Sequence, residues 1–274
     1  MSGSVSLPPR RRVGLLGCGF IGAEVHRRIV ADRSLGLDLA YVWNRTPERL
    51  EAAGVPAALR LESLDDARAG EADLVVEMCP PSITRTHGER LLARAHYLPL
   101  SVTALVDDAL RERLVATAAG AGTTLAVPHG ALMGLDSLHE WRHAWSEVTI
   151  TFRKHPANID WSESGQDPAA VGDRPTTVYD GPVRGIAPLF PRNVNTMVTC
   201  ALATVGLDRC RAVLVADRSL QVAVAEVAAR GSDGASLVMR KEQPMAGVSG
   251  TELVESQWAS IVRAAGLQGP FAFV

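Results

Sequence analysis

The chain has little sulfur to build with: four cysteines in 274 residues, at Cys18, Cys79, Cys200 and Cys210, none in a C-x-x-C pair. That spacing excludes a zinc ribbon or a disulfide framework and fits a reduced, cytosolic setting without a bound metal. No apolar run reaches the length of about 18 residues that would suggest a membrane span. A formal net charge of −2 gives no reason to expect nucleic acid or an anionic membrane as partner. Paired carboxylates are missing, and no histidine follows His155. One stretch imitates a secretory signal: Pro8-Pro9-Arg10-Arg11-Arg12 precedes a short apolar run ending at Cys18. That run holds only four residues and includes a glycine, against about 7–15 for a true apolar signal core. Residues 1–11 are therefore expected to be a loose polar leader of a soluble protein.

Hydrophobic residues make up 47% of the sequence, enough for two packed units. The first is organised around Val13-Gly14-Leu15-Leu16-Gly17-Cys18-Gly19-Phe20-Ile21-Gly22. A strand-like run leads into three glycines spaced G-x-G-x-x-G and then into a helix-like segment, the pattern of a dinucleotide-binding βαβ unit. Gly17 permits the tight turn, Gly19 lets the backbone approach a pyrophosphate, and Gly22 lets helix and strand pack closely. Cys18, Phe20 and Ile21 then supply backbone N–H groups at the helix start. Ile21, Val25 and Ile29 recur on one helix face, which leaves His26, Arg27 and Arg28 mostly to solvent.

A second strand, Leu37 to Trp43, ends at Asn44-Arg45, and Thr46 is placed to cap a helix that begins at Pro47. The end of this strand, roughly 20 residues beyond the glycines, is where such folds address the adenosine ribose. An acidic residue there favours NAD. Asn44 cannot repel a 2′-phosphate, and Arg45 can pair with one. NADP is thus preferred, with NAD as the alternative if Arg45 is an ordinary surface residue. Further strands are expected at 73–78, 98–102 and 124–128, alternating with helices at about 81–95 and 107–119. This alternation implies a doubly wound parallel sheet. Ligands gather at the carboxyl ends of such strands, which points to Cys79, Ser101, Thr103 and His129.

After Leu135 the pattern changes. Val148, Ile150 and Phe152 alternate with Thr149, Thr151 and Arg153, as in a half-buried strand of an open sheet. Strands at 176–179, 212–216, 220–230 and 235–240, a helix from about 193–195 and a closing helix at 252–265 complete an α+β unit, one sheet face of which is free for a partner subunit. The expected fold is α/β, a Rossmann doubly wound parallel sheet with a second α+β domain. The expected boundaries are 12–130, 131–245, and 246–274 for a C-terminal helix that packs back on the first domain.

Pro128-His129-Gly130-Ala131-Leu132-Met133-Gly134-Leu135-Asp136 resembles the P-S-G-A-I-x-G-L-D segment of L-aspartate dehydrogenases, and Phe190-Pro191-Arg192-Asn193-Val194-Asn195 resembles their F-P-x-N-x-N. Asp180-Gly181-Pro182-Val183-Arg184-Gly185 and Val42-Trp43-Asn44-Arg45 are more similar to the branch called aspartate dehydrogenase domain-containing protein. The resemblance implies a Rossmann domain plus a dimerisation domain, hence a homodimer. It also implies interconversion of L-aspartate and iminoaspartate with NAD or NADP. Ala131 and Asn195 match the family's nicotinamide contacts. Thr103, Arg192 and Asn193 are the candidates to hold a small-molecule substrate, with Arg184 a further carboxylate anchor.

The family's active-site histidine is not matched. Alignment on Ala216-Asp217 puts its position at Val224, and alignment on Gly231 puts it at Ala225. The family's N-P-K-T-S segment is replaced by Gly247-Val248-Ser249-Gly250-Thr251. A general acid or base commonly contributes about 10²–10⁴-fold in rate. His129, standing where the family has serine, is the first substitute candidate, with an ordinary loop histidine as its alternative. Two readings follow. One is an oxidoreductase acting at an amine or imine carbon, on aspartate or on a different imine. The other is a catalytically silent dinucleotide-binding sensor.

Overall fold

Val13, Leu15 and Leu16 are wholly buried because β1 (Arg11–Leu16) lies between two parallel neighbours, β2 (Leu37–Trp43) and β3 (Leu74–Glu77). These strands belong to a computed structural model that describes residues 10–66, 70–246, 249–250 and 253–266. Most of the polar leader, residues 1–9, lies outside the described residues, as do Gly247, Val248 and Thr251. The chain divides into two compact units, Met1–Pro128 with Gln257–Val274, and His129–Ser256. No helix among the described residues is long and apolar enough to cross a membrane.

In the first unit the parallel sheet runs in the order β2-β1-β3-β4, with β4 at His96–Pro99. The helices between its strands are α1 (Phe20–Ala31), α2 (Glu48–Ala52) and α3 (Pro81–Leu92), and α4 (Asp108–Ala121) follows β4. Two expected strands differ. The 98–102 strand is already over at Pro99, and Val102–Val106 forms a 3₁₀ helix instead, because Ser101 is drawn onto the Glu77 carboxylate. Thr124–Pro128 is reduced to one parallel bridge, Tyr97 to Leu125. Pro128 has no N–H with which to extend a ladder.

The buried stripe of α1 is Gly22, Val25, His26 and Ile29. His26 therefore faces inward rather than to solvent. Burial pushes its pKa down, and its Nε2 has no hydrogen-bond partner among the described residues. Ile261 and Ala265 of the C-terminal segment join Val13, Val25 and Ile29 in one core, with Trp258 packed against it.

The second unit is built on a five-stranded mixed sheet in the order β6-β7-β5-β8-β9. Helix α5 (Leu135–Glu140) precedes β5 (Trp145–Lys154); β6 (Thr176–Pro182), α6 (Val183–Leu189), α7 (Asn195–Ala203), β7 (Arg211–Ala216), β8 (Ala223–Gly231) and β9 (Ser236–Gln243) follow. Only β5 and β7 are parallel. Val148, Ile150 and Phe152 are buried, and Thr149 and Thr151 on the opposite face are half-buried, the division that a period of two imposes.

Candidate cofactor and substrate site

At the end of β1 the chain turns on Gly17, whose φ of +100° suits only glycine and whose missing Cβ would lie 2.6 Å from the Met78 carbonyl. The Gly17 N–H donates to the Trp43 carbonyl at 2.7 Å, which ties the turn to the end of β2. A Cβ on Gly22 would stand 2.1 Å from the Gly17 carbonyl, so helix and strand can approach only because that position is glycine. Gly19 is different. Its φ of −84° is open to any residue, and an added Cβ would meet nothing within 4 Å. It stands at the N-cap of α1, where no side chain caps the helix. The protein itself does not need a glycine there. The open backbone at the positive end of a helix can receive an anion, and a pyrophosphate has that chemistry.

The end of β2 shapes the same turn. The Asn44 Oδ1 accepts from the Cys18 N–H at 2.9 Å, and its Nδ2 donates to the Thr46 carbonyl at 2.8 Å. Asn44 thus holds the glycine turn with both ends of its amide. Thr46 does not cap α2 through its hydroxyl; Pro47 is the N-cap residue, and the Thr46 carbonyl accepts from the Arg49 N–H at 3.1 Å. Arg45 is exposed, and no ion pair engages it among the described residues. A second guanidinium lies near the turn: Arg49 on α2 is close enough to lower the Cys18 thiol pKa against the rise that burial causes. The sequence signal was an arginine in the first turn after the ribose-side strand.

Beneath the turn lies a group that sequence reasoning missed. Glu77, the last residue of β3, is fully buried and accepts hydrogen bonds from the Cys79 N–H at 2.5 Å, the Thr84 hydroxyl at 3.1 Å and the Ser101 hydroxyl. Thr84 also bonds Tyr97 Oη at 2.9 Å. Burial raises the Glu77 pKa to about 7, and the hydrogen bonds from Cys79, Thr84 and Ser101 only partly offset it. The available signal was an acid closing an otherwise apolar strand. Ser101 is thereby committed to Glu77, and Thr103 is buried in the 3₁₀ helix. Burial and the neighbouring carboxylate push the Cys79 thiol up to about 12, so it is no nucleophile at neutral pH.

Within the second unit, Ala131, Phe152, Thr196, Ala225, Met239 and Lys241 line one hollow. Ala131 is bonded there directly: its carbonyl accepts from Lys241 Nζ at 2.8 Å. Asn195 opens α7 next to Thr196. Of the two positions expected for the histidine, Ala225 lies in the hollow, opposite Phe152 on β5 and Lys241 on β9. Val224, one residue earlier, belongs to the other face of the sheet.

His129 sits 3.5 Å from the Asp136 carboxylate and is not among the residues lining the hollow. Arg192 pairs with Asp160 at 2.9 Å, and Asn193 spends both ends of its amide in the same loop, on the Asp160 N–H at 2.9 Å and the Asn158 carbonyl at 3.3 Å. Arg184 forms a two-pronged pair with Asp208, at 2.5 and 2.7 Å. Asp217 accepts from the Ser219 N–H and hydroxyl, closing the turn it sits in.

The sequence is 40% identical to the aspartate dehydrogenase domain-containing protein of Xenopus tropicalis over 220 residues, covering 77% of this chain and 76% of that protein. This chain belongs to the aspartate dehydrogenase family. The L-aspartate dehydrogenase of Methanosarcina acetivorans is 30% identical over 234 residues, with 81% of this chain and 84% of that one covered. Residues 139–256 match the family model described as aspartate dehydrogenase, C-terminal, and residues 17–128 match the homoserine dehydrogenase NAD-binding domain. The crystal structure of aspartate dehydrogenase from Thermotoga maritima shares the fold, with a TM-score of 0.75 and 22% identity over 97% of this chain and all of that one. As a member of the aspartate dehydrogenase family the protein is an NAD(P)-dependent oxidoreductase whose chemistry falls on a carbon bearing nitrogen.

Proposed function

We propose that the protein transfers hydride between NADP and the amine-bearing carbon of L-aspartate or a closely related amino acid, with the corresponding imine as the oxidised partner. The open backbone at Gly19, before an uncapped helix, carries the cofactor half of this reading. The nicotinamide supplies or accepts the hydride. The chain binds and orients: Gly17 to Gly22 take the pyrophosphate, Asn44 keeps the turn in shape, and Ala131 and Asn195 receive the nicotinamide. Thr103 and Arg192 are the residues proposed to hold the substrate, Arg192 by releasing Asp160 to take a substrate carboxylate, with Asn193 fixing the loop that presents it.

The preference for NADP rests on Arg45, whose guanidinium suits a 2′-phosphate, and on Arg49, which stands near Cys18 of the same turn. Replacing Arg45 by Asp removes a charge-assisted bond worth about 1.5–3 kcal/mol and adds like-charge repulsion. NADPH affinity should fall by about ten- to a hundredfold while NADH changes by less than about threefold. Calorimetric titration with each cofactor tests this, and equal effects would remove Arg45 from the phosphate site. Wild-type protein that bound neither dinucleotide would sink the whole reading. Substrate choice is tested by following NADPH consumption with oxaloacetate plus ammonia beside larger cyclic and acyclic imines. Ala225 in place of an ionisable residue favours the less polar imines as the second reading.

The protein is proposed to act in the cytosol as a homodimer through the open face of the second sheet, where Val238 is 66% exposed beside the Arg240–Glu226 pair. Val238→Glu should convert the dimer to monomer in light scattering. An unchanged mass would place the contact elsewhere.

A further inference from the structure

Lysine occurs only twice in this chain, at Lys154 and Lys241, among 28 lysine and arginine residues. Arginine makes every ion pair of Asp or Glu with a permanently charged side chain described above. A guanidinium stays charged at any pH the protein meets, whereas an amine can give up its proton. The two amines share one sheet. Lys154 is buried with Nζ 5.5 Å from the centre of the Phe152 ring. Lys241 lines the hollow with Ala131 and Ala225, paired in register with Ala225 and bonded to the Ala131 carbonyl at 2.8 Å. Arg240 also borders the hollow, but its guanidinium is paired with Glu226 and Glu242. Were charge alone wanted at position 241, arginine would bind a carboxylate better, with two parallel N–H groups.

We propose that Lys241 is the proton-transfer residue of this dehydrogenase. The inference rests on the reading above, in which Ala131 receives the nicotinamide. After Lys241 has given a proton to water, its amine takes one proton from the substrate ammonium. The nitrogen lone pair then forms the C=N bond as the C–H bond breaks, and hydride leaves with its electron pair for the oxidised nicotinamide. The products are the iminium and the Lys241 ammonium, which returns its proton to water; reduction runs through the same steps in reverse. The Ala131 carbonyl holds Nζ at the hollow that both residues line. Of the other titratable groups on the elements around the hollow, Lys154 on β5 shares its sheet face, and Arg240 borders it with its guanidinium paired to Glu226 and Glu242. Glu147 and Arg153 on β5 and Arg230 on β8 alternate onto the opposite face. His129, Asp136, His139 and Glu140 lie before and in α5, and Cys200 lies in α7.

The test uses the full chain with three variants, Lys241→Met, Lys241→Arg and His129→Gln. Substrates are L-aspartate with NADP and oxaloacetate plus ammonia with NADPH. Lys241→Met should lower kcat by about 10²–10⁴-fold and flatten its pH profile, with NADPH affinity by calorimetry within about twofold of wild type. Lys241→Arg should be as slow as Lys241→Met, and His129→Gln close to wild type. A Lys241→Arg enzyme with most of the rate would show that charge alone acts there and overturn the proposal, as would loss of the pH-dependent step in His129→Gln only.

A second readout needs no turnover. Two lysines give two side-chain signals in NMR of protein reductively methylated with ¹³C, and Lys241→Arg assigns them. Adding NADP and succinate should move the Lys241 signal and leave Lys154 in place; the opposite result, or no movement of Lys241, refutes the assignment. Wild-type protein that fails to bind NADPH in the calorimeter would instead strike the cofactor reading.

Discussion

Gly22→Ala should destabilise the protein by about 3 kcal/mol or more, and Gly19→Ala, three residues away in the same turn, should barely affect stability yet weaken NADPH binding. The contrast follows from what each new methyl meets. At Gly22 it would stand 2.1 Å from the Gly17 carbonyl, a backbone atom that cannot swing aside. Helix α1 would have to lift from β1, at the upper end of the cost of overpacking. At Gly19 it would enter open space with φ already at −84°. A slightly poorer N-cap and a stiffer unfolded chain offset each other to within about 1 kcal/mol. With cofactor present, the same methyl competes with the pyrophosphate. A contact penalty of about 1–3 kcal/mol corresponds to roughly a ten- to hundredfold loss of affinity. Urea denaturation of both variants, beside titration of Gly19→Ala with NADPH, checks the pair. Full cofactor affinity in Gly19→Ala would mean that the phosphates do not lie on this backbone.

Stability should fall as pH rises from about 4.5 to 7, through Glu77. Its carboxyl has an ordinary pKa of 4.5 in the unfolded chain and one of about 7 in the folded protein. Between those values the native state holds the proton more tightly, so the contribution is fully present below pH 4.5 and is lost as pH passes 7. The size is about 3 kcal/mol. Glu77 is completely buried, so solvent does not screen this effect. Urea midpoints at pH 5 and pH 8 measure it, and Glu77→Gln, which keeps an acceptor for the Cys79, Thr84 and Ser101 donors, should flatten the dependence. An unchanged slope in Glu77→Gln would assign the pH dependence to other groups. Ionisation of Glu77 also bears on the site: the residue after it, Met78, fences Gly17, and Ser101 follows the neighbouring strand.

The departures between sequence and structure share a cause. Thr124–Pro128 has the apolar content of a strand, but its ladder stops at Leu125 because strand formation needs a neighbour with matching register. Counting from Ile21 puts His26 on the polar side of α1. The stripe that faces the sheet instead starts at Gly22, since the helix must bring that glycine against Gly17. Arg192 and Asn193 look like substrate ligands in a motif. Their nearest partners, Asp160 and Asn158, lie more than thirty residues away in a loop with no pattern to reveal it.

The sequence by itself determined the strand–turn–helix, the dinucleotide class, the alternation that makes the first sheet parallel and the half-buried strands of the second. These are local properties: glycine spacing, period and capping act within a few residues, and their physics is the same in any surroundings. The tertiary structure alone decided that Asn44 holds the turn, that Glu77 is buried against donors from Cys79, Thr84 and Ser101, and that Lys241 reaches Ala131 across 110 residues of chain. A side chain's partner and its desolvation depend on which distant segments the register brings together, and no local pattern encodes that.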